Sequence, residues 1–133
     1  MKLLLDTHIL IWAAQDKLSP EANAYILDEK NVLLFSPASL WEIVIKNSLN
    51  RPDFNIDPGL LRRGLLDNGY EELGINSLHP LMVANLPPIH KDPFDRILIA
   101  QSRVERIPFL TVDTTVAKYG GSIILVKKSD SAF

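Results

Sequence analysis

The chain contains no cysteine, and this absence removes several kinds of site from consideration. Without thiols there is no disulfide, no thiolate zinc site and no cysteine nucleophile. Long hydrophobic runs are also lacking, since every apolar run is far shorter than the roughly 20 residues that a membrane span requires. The N-terminus has one lysine and a short apolar run that ends at Asp6, unlike a signal peptide. We therefore expect a cytoplasmic protein without a membrane segment.

An excess of positive charge is lacking as well. The 133 residues include 14 Lys and Arg against 16 Asp and Glu, which gives a net charge of −2. Proteins that coat nucleic acid by general electrostatic attraction carry an excess of positive charge, so this class is disfavoured. An acidic site rimmed locally by Lys and Arg remains compatible with the composition. The length and the 47% apolar content predict a single domain over residues 1–133.

Short apolar runs that alternate with helical patterns indicate an α/β fold. Runs of this kind are typical of a parallel sheet with both faces covered. One helix begins at either Ser36 or Ser39, residues 50–58 are predicted to form a loop, and residues 127–133 a loose polar tail. Strands are predicted at residues 2–5, 32–35, 72–75, 108–112 and 123–126.

The stretch from Lys91 to Ala100 stands out because two carboxylates precede an apolar helix. Asp92 is predicted to cap this helix, and Pro93 suits the first helical position. Asp95 falls in the first turn, just before a run of apolar residues. A helix this apolar is expected to be buried, so the acid at its start is either solvated at an edge or retained for a function.

Other acids are expected to join Asp95. Asp6 and Asp113 directly follow predicted strands, and ligands in parallel α/β folds bind beyond the carboxyl ends of strands. Glu42 and Asp95 are expected in the first turns of helices that open on the same edge. Each acid also has a simpler explanation in helix capping: Asp6, Asp92 and Asp113 as caps, Ser39–Glu42 as a capping box, and Asp95 as a favourable charge at a helix N-terminus.

Convergence of these acids would have a chemical consequence. Two carboxylates about 4 Å apart repel by roughly 4 kcal/mol at an effective dielectric of 20. Protons or cations must offset this repulsion, and oxygen ligands without cysteine favour Mg²⁺ or Mn²⁺. Such a site suits metal-assisted hydrolysis of a phosphodiester.

Four segments carry a family resemblance, namely Leu5–His8, Ser39–Ile43, His90–Gln101 and Leu110–Asp113. They occur in the order seen in PIN-domain proteins, and the chain resembles most narrowly the VapC-type toxins of bacterial toxin–antitoxin pairs. The resemblance implies a three-layer α/β/α sandwich around a parallel, mainly five-stranded sheet. It also implies a Mg²⁺- or Mn²⁺-dependent ribonuclease, a homodimer, and a cognate VapB-type antitoxin whose peptide occupies the active-site groove.

The resemblance assigns roles to individual residues. Asp6, Glu42, Asp95 and Asp113 match the acidic quartet of the family, and Asp92 matches an additional acid of this subgroup. Thr111 matches a position where a hydroxyl often lies near the site. The sequence itself predicts that Thr7, through its hydroxyl or its backbone N–H, positions either Asp6 or a metal-bound water.

Several other residues are candidates with a structural alternative. Lys46 either pairs with Glu42 one turn earlier or meets a phosphate. Arg96 is expected to neutralise local acids or to reach a phosphate. His8 and His90 flank acids and could transfer protons. Candidate RNA contacts that a solvated helix face explains equally well are Arg51, Arg62, Arg63 and Lys118, and residues expected in the core or at a dimer interface are Trp12, Trp41 and Phe94.

The sequence thus favours a metal-dependent endoribonuclease that acts as the toxin of a toxin–antitoxin pair. Two alternatives remain open at this point. One is a catalytically silent binding module for nucleic acid or protein on the same scaffold. The other is a DNA nuclease, or a phosphatase-like enzyme, that uses the same acidic site.

Overall fold

The computed structural model of the chain describes residues 1–50 and 54–129, and within them a single parallel sheet of five strands. The strand order is β3-β2-β1-β4-β5, so β1 lies at the centre between β2 and β4. Leu4 of β1 is in register with Leu34 on one side and with Phe109 on the other. The strands are β1 (Lys2–Leu5), β2 (Val32–Phe35), β3 (Glu71–Glu72), β4 (Phe109–Thr111) and β5 (Ile123–Leu125).

Helices connect the strands and cover the sheet. Among the described residues they are α1 (Thr7–Ala14), α2 (Pro20–Leu27), α3 (Pro37–Ser48), α4 (Pro58–Asp67), α5 (Leu78–Val83), α6 (Pro93–Glu105) and α7 (Thr114–Ala117). No helix in this part of the chain is long and apolar enough to cross a membrane.

The core has two halves, one on each face of the sheet. Successive side chains of a strand point to opposite faces, so Leu3 and Leu5 pack in one apolar cluster and Leu4 in the other. Helices α1 and α4 complete the first cluster, and α6 completes the second. The predicted three-layer α/β/α sandwich around a five-stranded parallel sheet is confirmed.

Helix α3 shows where a predicted detail is wrong. Its cap is Ser36, whose Oγ accepts a hydrogen bond from Ala38 N at 3.1 Å. Pro37 follows Ser36 and suits the first helical position, which favours this start over the alternative at Ser39. The capping box predicted at Ser39–Glu42 therefore does not form, and Glu42 lies in the second turn instead of the first.

The third strand and the C-terminal tail also differ from expectation. Strand β3 is shorter and begins earlier than predicted, although Leu73 N still donates to Phe35 O at 2.8 Å. After β5, Val126 N donates to Thr111 O at 2.9 Å and Lys127 O accepts from Ser19 Oγ at 2.7 Å. The chain is thus held by hydrogen bonds at the point where a loose tail was predicted to begin. Residues 130–133 of the predicted tail and residues 51–53 of the predicted loop lie outside the described part of the chain.

Candidate active site

Asp6 lies at the carboxyl edge of the sheet, directly after the central strand. Both of its carboxylate oxygens accept hydrogen bonds, Oδ1 from Thr7 N at 2.7 Å and Oδ2 from Thr111 Oγ1 at 2.6 Å. Its own N–H donates to Leu110 O at 3.0 Å. The side chain is 5% exposed and held in one orientation by groups of β1–α1 and β4. The predicted positioning of Asp6 by the backbone N–H of Thr7 is confirmed.

Glu42 reaches the same edge from α3. Its Oε1 lies 2.7 Å from Thr7 Oγ1, and its Oε2 lies 2.7 Å from Lys46 Nζ. The Thr7 hydroxyl also lies 2.9 Å from Ser39 Oγ. The predicted ion pair between Lys46 and Glu42 is confirmed, and the hydroxyl of Thr7 holds Glu42 while its N–H holds Asp6.

His90 joins two further acids at the start of α6 and α7. Its Nε2 lies 3.0 Å from Asp95 Oδ2 and 3.7 Å from Asp113 Oδ2. One candidate ligand atom from each of these three residues lies within 4.8 Å of the others, the spacing of a possible metal site. Asp92 N donates to His90 Nδ1 at 3.2 Å, which leaves the ring proton of neutral His90 on Nε2, facing the carboxylates.

Capping accounts for three of the five acids. Asp6 caps α1, Asp92 accepts from Phe94 N at 2.8 Å, and Asp113 accepts from Thr115 N at 2.8 Å. The capping interpretation is confirmed for these residues. Glu42 and Asp95 are buried, at 3% and 8% exposure, and cap no helix, so capping does not explain why the acids are gathered here.

Burial, together with repulsion between the acids, raises the pKa of two of them. Burial, with smaller contributions from the charges of Glu42 and Asp113, raises the pKa of Asp6 to about 6 despite its two hydrogen bonds. Burial and then the charges of Asp6, Asp92, Glu42 and Asp113 raise the pKa of Asp95 to about 8. Negative charge at this edge therefore exceeds the positive charge of Lys46, the lysine that pairs with Glu42.

This arrangement fits a divalent cation. Carboxylate oxygens that are held in place, at an edge with uncompensated negative charge, are the ligands that Mg²⁺ and Mn²⁺ prefer. A bound cation relieves the repulsion that burial and crowding create. The structure thus places Asp6, Glu42, Asp92 and Asp113 close enough for their charges to act on Asp95. Among the described residues, the group whose ligand atoms lie within 4.8 Å of one another is His90, Asp95 and Asp113, so it contains two members of the predicted quartet.

Arg96 is placed differently from the prediction. Its guanidinium donates to Pro87 O at 3.0 Å, to Val83 O at 3.0 Å and to Tyr119 Oη at 3.0 Å. The expectation that Arg96 neutralises the acids is wrong, because its guanidinium N–H groups donate to backbone carbonyl oxygens instead. It fixes the segment that carries His90, together with Tyr119, whose Oη accepts from His90 N at 2.9 Å.

The other basic candidates lie outside the acid cluster or are untested. Arg62 lies 3.7 Å from Glu72 in an exposed pair, and Arg63 and Lys118 are exposed side chains. No ion pair within the described residues joins these three to the acids, and Arg51 lies outside the described residues. His8 lies within electrostatic range of the acids. Burial and then the charge of Lys46 lower the pKa of His8, while the charges of Glu42 and Asp113 raise it.

The aromatic predictions are confirmed in part. Trp12 is buried in the core at 7% exposure. Trp41 is 62% exposed and stacks edge-on against Phe94 at 5.1 Å, so it is not a core residue. Ser39 and Tyr119 are site-supporting residues that the sequence analysis missed, because only long-range contacts reveal them.

The PIN-domain family model matches residues 3–122. The chain belongs to the PIN-domain family. No curated protein matches the sequence at a significant level.

Several solved structures share this fold at low sequence identity. VapBC2 from Rickettsia felis, bound to a DNA fragment from its promoter, has a TM-score of 0.68 and 14% identity over 97% of this chain and 100% of that one. VapC20 from Mycobacterium tuberculosis, a toxin that cleaves the sarcin–ricin loop, has a TM-score of 0.64 and 16% identity over 94% and 98%. A toxin–antitoxin complex from Klebsiella pneumoniae has a TM-score of 0.61 and 19% identity over 92% and 95%.

Proposed function

We propose that this PIN-domain protein is a metal-dependent endoribonuclease, the toxin of a toxin–antitoxin pair. The observation that carries the proposal is the gathering of buried carboxylates at the carboxyl edge of β1 and β4, where burial and then the charges of the neighbouring acids raise the pKa of Asp95 to about 8. Repulsion between buried carboxylates destabilises a fold, so it is retained more readily at a functional site than at a purely structural one.

Each side chain of the site has a proposed task. The residues that would hold Mg²⁺ or Mn²⁺ are Asp6, Glu42, Asp95 and Asp113, with Asp92 as an additional acid. Thr7 and Thr111 orient two of these carboxylates through the hydrogen bonds already described. When bound, the cation polarises the phosphodiester and lowers the pKa of the attacking water.

RNA as the substrate rests on the family and on one relative. VapC20 cleaves the sarcin–ricin loop, which favours RNA over DNA for a protein of the same fold. The structure of VapBC2 and the Klebsiella pneumoniae complex favour a VapB-type antitoxin as the partner.

A homodimer is part of the same proposal. Trp41, Val44, Ile45 and Leu49 form an exposed apolar stripe along α3, at 62%, 48%, 40% and 58% exposure. An apolar stripe of this kind supports a protein–protein interface.

The test is cleavage of labelled RNA by the purified protein with Mg²⁺ or Mn²⁺, with and without EDTA. We expect metal-dependent cutting that falls by about 100-fold or more in Asp6→Asn, a loss typical of removing one electrostatic stabiliser. Asparagine still caps a helix, so the fold is kept. Asp57→Asn is the matched control, because the carboxylate of Asp57 also caps a helix, α4, and its replacement is expected to leave cutting unchanged.

Three results would contradict the proposal. Folded protein that binds RNA without cutting any of a range of RNAs would indicate the silent binding module. Preferential cutting of DNA would indicate a DNA nuclease. Cutting that survives both EDTA and Asp6→Asn would remove the acids from the mechanism.

A further inference from the structure

The segment after β5 carries a lysine to the border of the acid cluster. Hydrogen bonds of Val126 to Thr111 and of Lys127 to Ser19 hold this segment, at 2.9 Å and 2.7 Å. They place Lys128 Nζ 5.6 Å from the centre of the Trp12 ring. The position of Lys128 is therefore set by the fold.

Lys128 belongs to a strip in which lysines lie over aromatic rings. The Trp12 ring packs against His8 at 5.3 Å, and Lys46 Nζ lies 5.8 Å from the centre of the Phe54 ring. We refer to Lys46, Lys128, His8, Trp12 and Phe54 as the basic lip.

The basic lip borders the acids. Lys46 Nζ lies 2.7 Å from Glu42 Oε2. The charges of Lys46 and Lys128 both act on His8, and so do those of Glu42 and Asp113. His8 therefore lies within electrostatic range of both lysines and of two acids of the cluster.

The two lysines differ in whether a nearby carboxylate compensates their charge. Lys46 is paired with Glu42, so its charge is largely compensated. Lys128 is exposed, and among residues 1–50 and 54–129 no carboxylate lies within 4.0 Å of its ammonium group. The fold holds the aliphatic part of Lys128 in place, in a protein with a net charge of −2. Its ammonium group is therefore a point charge that can bind an anion.

We propose that the basic lip binds a backbone phosphate of the RNA strand beside the cleaved bond, with Lys128 as its principal ligand. The inference rests on the proposed function, because it concerns the same substrate. A strand that crosses the acid cluster must keep its remaining phosphates away from the carboxylates. The basic lip lies next to them, and Lys128 supplies the charge that no carboxylate of the cluster pairs with, over the Trp12 ring.

The test compares Lys128→Gln with Lys127→Gln, a matched loss of charge one residue away. The affinity for a short labelled single-stranded RNA is measured in EDTA across a salt series, where no cleavage occurs. We expect the slope of log affinity against log salt to fall in magnitude by about 0.7 in Lys128→Gln, the value for one lost phosphate contact on a single strand. Lys127→Gln is expected to change the slope less, and Lys128→Arg to retain it.

Cleavage kinetics with Mn²⁺ supply a second readout. Lys128→Gln is expected to raise KM severalfold with little change in kcat, since the lip binds substrate and does not touch the reacting atoms. If wild-type protein binds RNA only with Mn²⁺ present, the change in KM decides the proposal in place of the salt slope.

The outcomes separate this inference from the proposed function. If wild-type protein neither binds nor cuts RNA, both the proposed function and the role of the basic lip are contradicted. Wild-type protein that cuts RNA, with Lys128→Gln equal to Lys127→Gln in slope and KM, contradicts the lip alone. The proposal would also be overturned if Lys128→Gln lowered the melting temperature enough to account for all of its loss of RNA binding. The same holds if Lys128→Gln weakened the binding of an acidic peptide and left RNA binding unchanged.

Discussion

Two histidines near opposite ends of α6 have nearly the same local geometry. His79 Nδ1 accepts from Asn76 N at 3.0 Å, and its Nε2 lies 2.7 Å from Glu105 Oε2. His90 Nδ1 accepts from Asp92 N at 3.2 Å, and its Nε2 lies 3.0 Å from Asp95 Oδ2. In both cases a backbone N–H two or three residues away fixes the ring, and a carboxylate of α6 faces the other nitrogen.

The surroundings of the two histidines differ. His79 is 0% exposed and faces one carboxylate, so it joins α5 to α6 with both ring nitrogens partnered. His90 is partly exposed and faces both Asp95 and Asp113. Behind these lie Asp6 and Glu42, whose charges also act on Asp95. The same pair of groups is buried with one carboxylate in the first case, and in the second it borders the carboxylates that we propose as ligands of a cation.

The largest expected effect is a loss of stability of the metal-free protein as pH rises. The pKa of Asp6, about 6, and that of Asp95, about 8, both lie above the ordinary aspartate value of 3.8. The folded state therefore binds more protons than the unfolded state from about pH 4 upwards, and stability falls as pH rises through the folded pKa values. A change of about two pKa units, as for Asp6 alone, corresponds to about 3 kcal/mol, and Asp95 adds to it.

Denaturant unfolding in EDTA between pH 4 and pH 9 measures this effect. Asp95→Asn serves as the matched variant, because it removes the group with the highest pKa and should flatten the upper part of the curve. Stability that rises steadily from pH 5 to pH 8 in wild-type protein would show that the acids are not crowded as described.

A smaller effect is expected for the two histidines themselves. His79→Ala is expected to reduce the free energy of unfolding by about 2–3 kcal/mol, because it leaves a cavity and removes the hydrogen-bond partner of Glu105. His90→Ala is expected to cost less than about 1 kcal/mol, because water reaches the groups that it leaves. Urea unfolding at pH 7 in EDTA measures both, and an equal or reversed order would contradict the distinction between a structural and a functional pair.

Much of the fold follows from the sequence because its signals are local. Strands β1 and β2 were predicted with their observed bounds, since each is a short apolar run that ends at a polar residue. The acids at the carboxyl edge were predicted because Asp6 and Asp113 follow strands of a parallel sheet, where topology alone brings them together.

The remaining features depend on contacts that local patterns do not contain. Ser36 and Ser39 are equally good caps by composition, and Pro37 decides between them. Arg96 follows Asp95 in sequence, but the turn after α5 presents carbonyl oxygens to its guanidinium. Lys128 lies in a polar tail without any pattern, and its place over Trp12 depends on a hydrogen bond between residues 19 and 127.

The central claim is that the crowded acids are the ligands of a divalent cation. Calorimetric titration of the metal-free protein with Mn²⁺ at pH 7, in two buffers of different ionisation enthalpy, tests it directly. We expect saturable binding with the release of about one proton, because a cation displaces the proton that Asp95 retains at this pH. Both the binding and the proton release should be lost or strongly weakened in Asp6→Asn. Binding that is absent in wild-type protein, or unchanged in Asp6→Asn, would contradict the account.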